Sequence, residues 1–292
     1  MRFFHRYDLK KGIFLVLLAW LCFSTLFMVS KLIEPKTSIS TMLFFRNILG
    51  LIVIAPLVIK SWPKALKVHD WKIMLIRAVM GLLNLFFIFL AVQRISLVNA
   101  TLLNNSAPFF VPFILWFWLA IPLNHRLWPA VIVGFIGIGF ILQPDRRILN
   151  MGAIYGLLSG ICLSISIITI RLMARKESFT TYLLYYMSVG FVLSAPFALL
   201  NWRIDDALTL IGLISIGFFS MTGQFFLFHA LKHAKASHLS PFCYSTVIFA
   251  GIYEWLIWDM TPKPIALVGA VLIIAAGIWI FLISKTPKEL SK

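Results

Sequence analysis

Four side chains carry most of the chemistry that an almost wholly apolar sequence offers. They are Arg46 in "TMLFFRNILG", Glu254 in "GIYEWLIWD", and the adjacent Asn104 and Asn105 in "ATLLNNSAPFFVPFILWFW". A guanidinium binds a carboxylate or phosphate through paired hydrogen bonds, a carboxylate binds an ammonium or a proton, and amides hydrogen-bond to either. Each also has a plainer reading. Arg46 has the reach to snorkel to outer headgroups, Glu254 sits near a span end where an acid is tolerated, and the asparagines can glue helices together. Asn84, Gln224, Tyr244 and Trp20 lie away from the ends of their apolar runs and are candidates to line a central cavity. Tyr182 and Tyr253 read as interfacial anchors. Pro108 and Pro112 remove backbone donors and free carbonyls about a turn earlier, which at depth must face protein or water. They are expected to loosen a helix that gates, the alternative being a Pro-kinked packing helix.

The elements that must position these groups follow from composition. Of 292 residues, 61% are hydrophobic and 12% charged, with a mean hydropathy of +0.96; a soluble domain carries roughly 25% charge. Apolar runs of about 20 residues, enough to cross roughly 30 Å of hydrocarbon, recur at about 12–32, 40–60, 72–92, 98–120, 128–143, 152–172, 181–200, 208–230, 237–258 and 264–284. The expectation is an all-α membrane protein of ten transmembrane helices. With the N-terminus inside, eighteen Lys and Arg fall on cytoplasmic segments, Arg77 among them, and seven on the other side. This positive-inside bias places both termini in the cytoplasm and makes the +16 charge topological, not a nucleic-acid footprint. The run after "MRFFHRYDLKKG" is too long for a signal peptide and is read as a retained first helix. On this topology Arg46, Asn104 and Asn105 lie in the outer half, roughly 10 Å from the outer end at 1.5 Å per residue, where they could meet Glu254.

The sequence also repeats itself. A shift of 140 places Gly12 on Gly152, Cys22 on Cys162, Ser24 on Ser164, Gly50 on Gly190 and Ala55-Pro56 on Ala195-Pro196; a shift of 139 places Phe86 on Phe225 and Ser106 on Ser245. The chain reads as a tandem duplication, 1–145 and 146–292, forming one integrated transmembrane domain. Five helices per half is an odd number, so the second copy crosses in the opposite sense, and inverted-topology repeats of this kind are a transporter device. Other classes lack their residues. His229, His233 and His238 have no carboxylate beside them, so no metal site is expected; no phosphate-binding glycine loop, cofactor motif or nucleophile-base set appears, so the chain is not read as an enzyme.

The stretches "FFRNILG", "IRAVMGLLNLFFIFLAVQRISLVNATLLNNSAPFFVP" and "VIVGFIGIGFILQP", with their counterparts "FFLFHALKHAKASHLSPFCYSTVIFAGIYEWLIW" and "IALVGAVLIIAAGIWIF", resemble the drug/metabolite transporter superfamily, in its ten-helix EamA-type branch. The family often carries an acidic "GE" step after the fourth span; here the chain reads "PLNHRLW", with His125 near that place, while Asp259 follows the ninth. The first helix lacks the Glu used by related four-helix multidrug pumps. The resemblance implies a secondary transporter in the inner membrane, moving a small polar or zwitterionic metabolite such as an amino acid or an S-adenosylmethionine-like solute. Efflux of amphipathic drugs and a non-transporting scaffold are the alternatives. Proton coupling through a membrane carboxylate would rest on Glu254, with His229 or His238 as weaker relays.

Overall fold

The computed structural model describes residues 9–120, 125–142, 151–173, 177–233, 239–261 and 264–283. The basic N-terminus, the junction at 143–150, His238 and the C-terminal tail lie outside the described residues. The helices are α1 (Leu9–Ile33), α2 (Ile39–Lys60), α3 (Trp71–Arg94), α4 (Leu97–Asn104), α5 (Ala107–Leu119), α6 (Trp128–Leu142), α7 (Met151–Met173), α8 (Phe179–Leu200), α9 (Ala207–His233), α10 (Ser245–Trp258) and α11 (Pro264–Ile283). Described residues contain no strand. Seven helical stretches are long and apolar enough to cross a membrane, residues 97–118 counted as one, and the shorter runs 128–141 and 264–280 are apolar too. Side chains fix where several helices begin: Ser38, Asp70, Ser96 and Ser178 each accept the amide proton three residues on, satisfying a donor the first turn leaves open. Ser38 and Ser178 are 140 residues apart.

Packing follows the duplication. The broadest contacts are α3 with α7 and α1 with α9, then α2 with α8 and α6 with α11. Exchanging the halves converts the first pair into the second and returns each of the other two to itself. Atomic contacts obey the same exchange. A Cβ on Gly50 would sit 2.8 Å from Met187 Sδ, and one on Gly190 would sit 2.7 Å from the amide of Asn47; residues 47 and 187 are themselves related by 140. Ser24 Oγ donates to the Thr246 carbonyl at 3.3 Å, and its counterpart Ser164 to the Ala107 carbonyl at 2.9 Å. Cys22, Cys162 and Cys243 are free thiols, as expected of apolar fillers.

The fourth run departs from one kinked helix. It breaks at Asn105–Ser106 into α4 and α5, and its symmetry partner opens with a 3-10 turn, Ser240–Tyr244, before α10. Pro108 does not interrupt a helix; it stands in the first turn of α5, where its missing donor costs nothing. Only Pro112 is internal. The carbonyls at the break face protein: Leu103 O accepts from the Ser106 amide and hydroxyl, and a Cβ on Gly160 of α7 would lie 2.7 Å from Leu103 O and 3.4 Å from Asn104 O. Gly190→Ala should therefore destabilise the protein by about 1–3 kcal/mol through overpacking against Asn47. Gly139→Ala has nothing within 4 Å of the added methyl and should be neutral or stabilising by about 0.5–1 kcal/mol, both read by thermal unfolding in detergent.

Candidate functional site

Five helices converge on two buried guanidinium groups. From α2, Arg46 is 1% exposed; its Nε donates to Ser220 Oγ of α9 at 2.9 Å, Nη1 to Asn47 Oδ1 at 2.8 Å and Nη2 to the Tyr186 hydroxyl of α8 at 3.1 Å. From α3, Arg77 is 5% exposed; Nη1 donates to Ser166 Oγ of α7 at 3.2 Å and Nη2 to the Tyr182 hydroxyl at 2.5 Å. Tyr182 and Tyr186, one turn apart on α8, stack at 6.0 Å with an 11° interplanar angle. Both arginines lie over the Tyr186 ring, with Cζ 4.8 Å (Arg46) and 4.6 Å (Arg77) from its centroid. Gly81, one turn beyond Arg77, leaves open the space into which the Arg77 head and the Tyr186 ring fold.

The cluster is electrically incomplete. Every acceptor in it is neutral, and no ion pair among the described residues reaches either arginine. Arg77 Nε and Asn47 Nδ2 are buried without an acceptor. With their carbons 4.8 and 4.6 Å from one ring centroid, the two like charges are at most 9.4 Å apart and repel by about 2 kcal/mol or more at an effective dielectric of about 20, before the cost of keeping each out of water. Ring quadrupoles offset part of this, and a bound anion would remove it.

Sequence reasoning placed Arg46 with Asn104, Asn105 and Glu254 on one level; the structure gives each of the four its own set of partners. Asn84 Nδ2 donates to Asn104 Oδ1 at 2.6 Å and to the Ser159 carbonyl at 2.9 Å, tying α3, α4 and α7 together. Asn105 Nδ2 donates to Thr246 Oγ1 at 2.8 Å, joining the break in the fourth run to its symmetry partner. Glu254, 3% exposed, pairs with Lys31 Nζ at 3.1 Å and accepts the Leu97 and Val98 amides at the start of α4. Its carboxylate thus faces Lys31 of α1 and the N-terminus of α4. Trp20 Nε1 and the Tyr244 hydroxyl are buried without hydrogen-bond partners, the latter against Gly277. Gln224 is half-buried on α9. Tyr182 holds Arg77 and Tyr253 meets Thr25 at 2.7 Å, so neither is merely an interfacial anchor.

Arg77 lies near the start of its apolar run, where a basic residue reads as a cytoplasmic flank. Glycine one turn later, in "IRAVMG", is the local signal that a bulky head folds back there. A second signal lay in the repeat: the 140-residue shift places Arg46 on Tyr186, the residue it contacts. Toward the α2 N-terminus, about 10 Å from Arg46 at 1.5 Å per residue, an open hollow of about 410 Å³ is lined by Glu34, Thr37, Ser38, Gln93 and Asn201, with the Thr37 hydroxyl buried and unpartnered.

A profile of the EamA-like transporter family matches this chain twice, over residues 10–143 and 150–282. The chain is 27% identical over 282 residues to the pseudopaline exporter CntI of Pseudomonas aeruginosa (strain UCBPP-PA14), covering 96% of this chain and 98% of that protein. It is 26% identical over 264 residues to an S-adenosylmethionine uptake transporter of Rickettsia bellii (strain RML369-C), covering 90% of each. A solved crystal structure shares the fold, with a TM-score of 0.64 at 13% identity, covering 94% of this chain and 97% of that one.

The Glu254 contacts make their own prediction. Glu254→Gln leaves Lys31 unpaired and weakens the acceptor at the α4 N-terminus, which should cost about 1–3 kcal/mol of stability. Adding Lys31→Met should cost less than the two single effects summed, as a double-mutant cycle of thermal unfolding would read.

Proposed function

The chain belongs to the EamA-like transporter family, and from that membership we propose that it carries a small carboxylate-bearing metabolite by alternating access, with Arg46 holding the carboxylate. It is a multi-pass membrane protein and a small-metabolite transporter, not an enzyme. The observation that carries the finer reading is the contact between Arg46 and Tyr186, its own counterpart in the other half. The exchange axis of an inverted pair lies in the membrane plane, and such transporters bind their substrate beside it, near the midplane. A residue touching its symmetry mate straddles that axis. The guanidinium therefore reaches toward the centre from an α2 backbone in the outer half.

Relatives named for S-adenosylmethionine and pseudopaline move small metabolites in opposite senses, so direction does not follow from the shared fold. Within the proposal the solute is zwitterionic or polar, amino acid or S-adenosylmethionine-like. The halves 1–145 and 146–292 are the bodies that move, in an inner membrane with both termini cytoplasmic. Trp20 and Tyr244, with unpartnered polar atoms, are the groups left to take the solute's remaining polar atoms, and Gln224 joins them from α9. Asn84 bonds the Ser159 carbonyl and Asn105 bonds Thr246 across the halves, so these contacts would be released to the solute as the halves shift, while Asn104 stays with Asn84 in the first half. Pro112 gives the broken run its compliance, and Pro108 sets where α5 starts. Any proton coupling through Glu254 has first to break the pair with Lys31.

Counterflow in proteoliposomes, with a mixed pool of labelled amino acids and S-adenosylmethionine, tests this reading. Arg46→Ala should lower flux about 30-fold or more, as loss of a charge-assisted contact of about 2 kcal/mol implies, while Arg46→Lys keeps part of it. Flux that survives Arg46→Ala in folded protein would falsify the assignment.

A further inference from the structure

Arg77 adds a second positive charge that the carboxylate reading of Arg46 does not use. We propose that the site takes a dianion, a solute with two carboxylates, one on Arg46 and the other on Arg77. The inference rests on that reading of Arg46 and adds the second charge.

Three observations support it. Both guanidinium carbons lie within 5 Å of the Tyr186 centroid, so one small molecule can reach both. Donors exceed acceptors: two guanidinium groups offer ten N–H bonds by their chemistry, yet the partners are the hydroxyls of Ser166, Ser220, Tyr182 and Tyr186 and the amide oxygen of Asn47. Arg77 Nε and Asn47 Nδ2 have none. What the cluster lacks is negatively charged oxygen, and one carboxylate would neutralise one arginine and leave the other.

The third observation is how the groups divide between the halves. Arg46, Asn47 and Arg77 belong to the first repeat, whereas all four hydroxyl partners belong to the second. When the halves move apart, both charges travel together and leave their neutral acceptors behind. A dicarboxylate supplies four oxygens and two charges at that moment, so it stays with the first repeat while the second rearranges around it.

Succinate and butyrate share a four-carbon chain and differ by one carboxylate, which isolates the second charge. Thermal unfolding of the purified full chain in detergent is followed as either salt replaces chloride at constant ionic strength. The expected result is that succinate raises the midpoint by several degrees and butyrate by much less. Arg77→Gln should reduce the succinate effect to that of butyrate, and Arg77→Lys should retain most of it. Equal protection by both salts in the unaltered chain would overturn the dianion and leave the carboxylate reading standing. Succinate protecting Arg77→Gln as well as the unaltered chain would remove Arg77 from the site. Protection by neither salt would overturn both readings. If Arg77→Gln does not fold, the succinate–butyrate comparison and Arg77→Lys decide the matter.

Discussion

The bond between Arg46 and Tyr186 is the constraint around which the bundle is arranged. A guanidinium cannot shed its proton at any accessible pH, so once α2 carries one inside an apolar bundle, the surrounding helices must supply compensation. They supply it, to Arg46 and to Arg77 beside it, as dipoles and ring faces: two serine hydroxyls, two tyrosines and an amide, drawn from α2, α7, α8 and α9. None of these carries a counter-charge. The difference matters for the proposed function, because a carboxylate from the protein would neutralise the arginines, whereas neutral partners hold them in place with their charge unpaired.

Holding that cluster requires close helix crossings, and glycine allows them. Asn47 can turn its oxygen to Arg46 only because Gly190 lets α8 approach α2, and the mirrored contact of Met187 on Gly50 keeps the crossing symmetric. Two other polar groups serve the frame. Glu254 fixes the start of α4 from the opposite half, and Asn105 ties the broken fourth run to Thr246. The Asp206 carboxyl, outside the spans, is held well below the usual carboxylate range by Lys36 first and by Thr209 next. Because that shift is downward, its contribution to stability is present at neutral pH and lost only as pH falls through the depressed value.

Much of the architecture was legible because it is written in composition and spacing. Apolar runs report helices that cross hydrocarbon, and Gly, Pro and Ser coincidences at a nearly fixed shift report the duplication. Arg46 was legible as a charge inside an apolar run. The site as a whole was not, for reasons that differ by residue. Arg77 looks like a flank because hydropathy does not say how far a helix extends before it is buried. Lys31 and Glu254 are 223 positions apart, and nothing local announces their pairing. Asn104 and Asn105 look alike in sequence, but Asn104 ends α4 while Asn105 is its cap at the break, and the two face different partners. One finds Asn84 and the other Thr246.

The central claim is that Arg46 binds solute because no acid among the described residues neutralises it. Solute binding and counterflow by Ser220→Asp, set beside Ser220→Asn, test it most directly. The side chain at 220 already faces Arg46 Nε at 2.9 Å, so an aspartate there would supply the missing counter-ion. The account predicts that Ser220→Asp folds but loses solute binding, while Ser220→Asn, with no added charge, keeps most of it. Undiminished binding and flux in Ser220→Asp would contradict the account, since the solute would then not need Arg46's free charge.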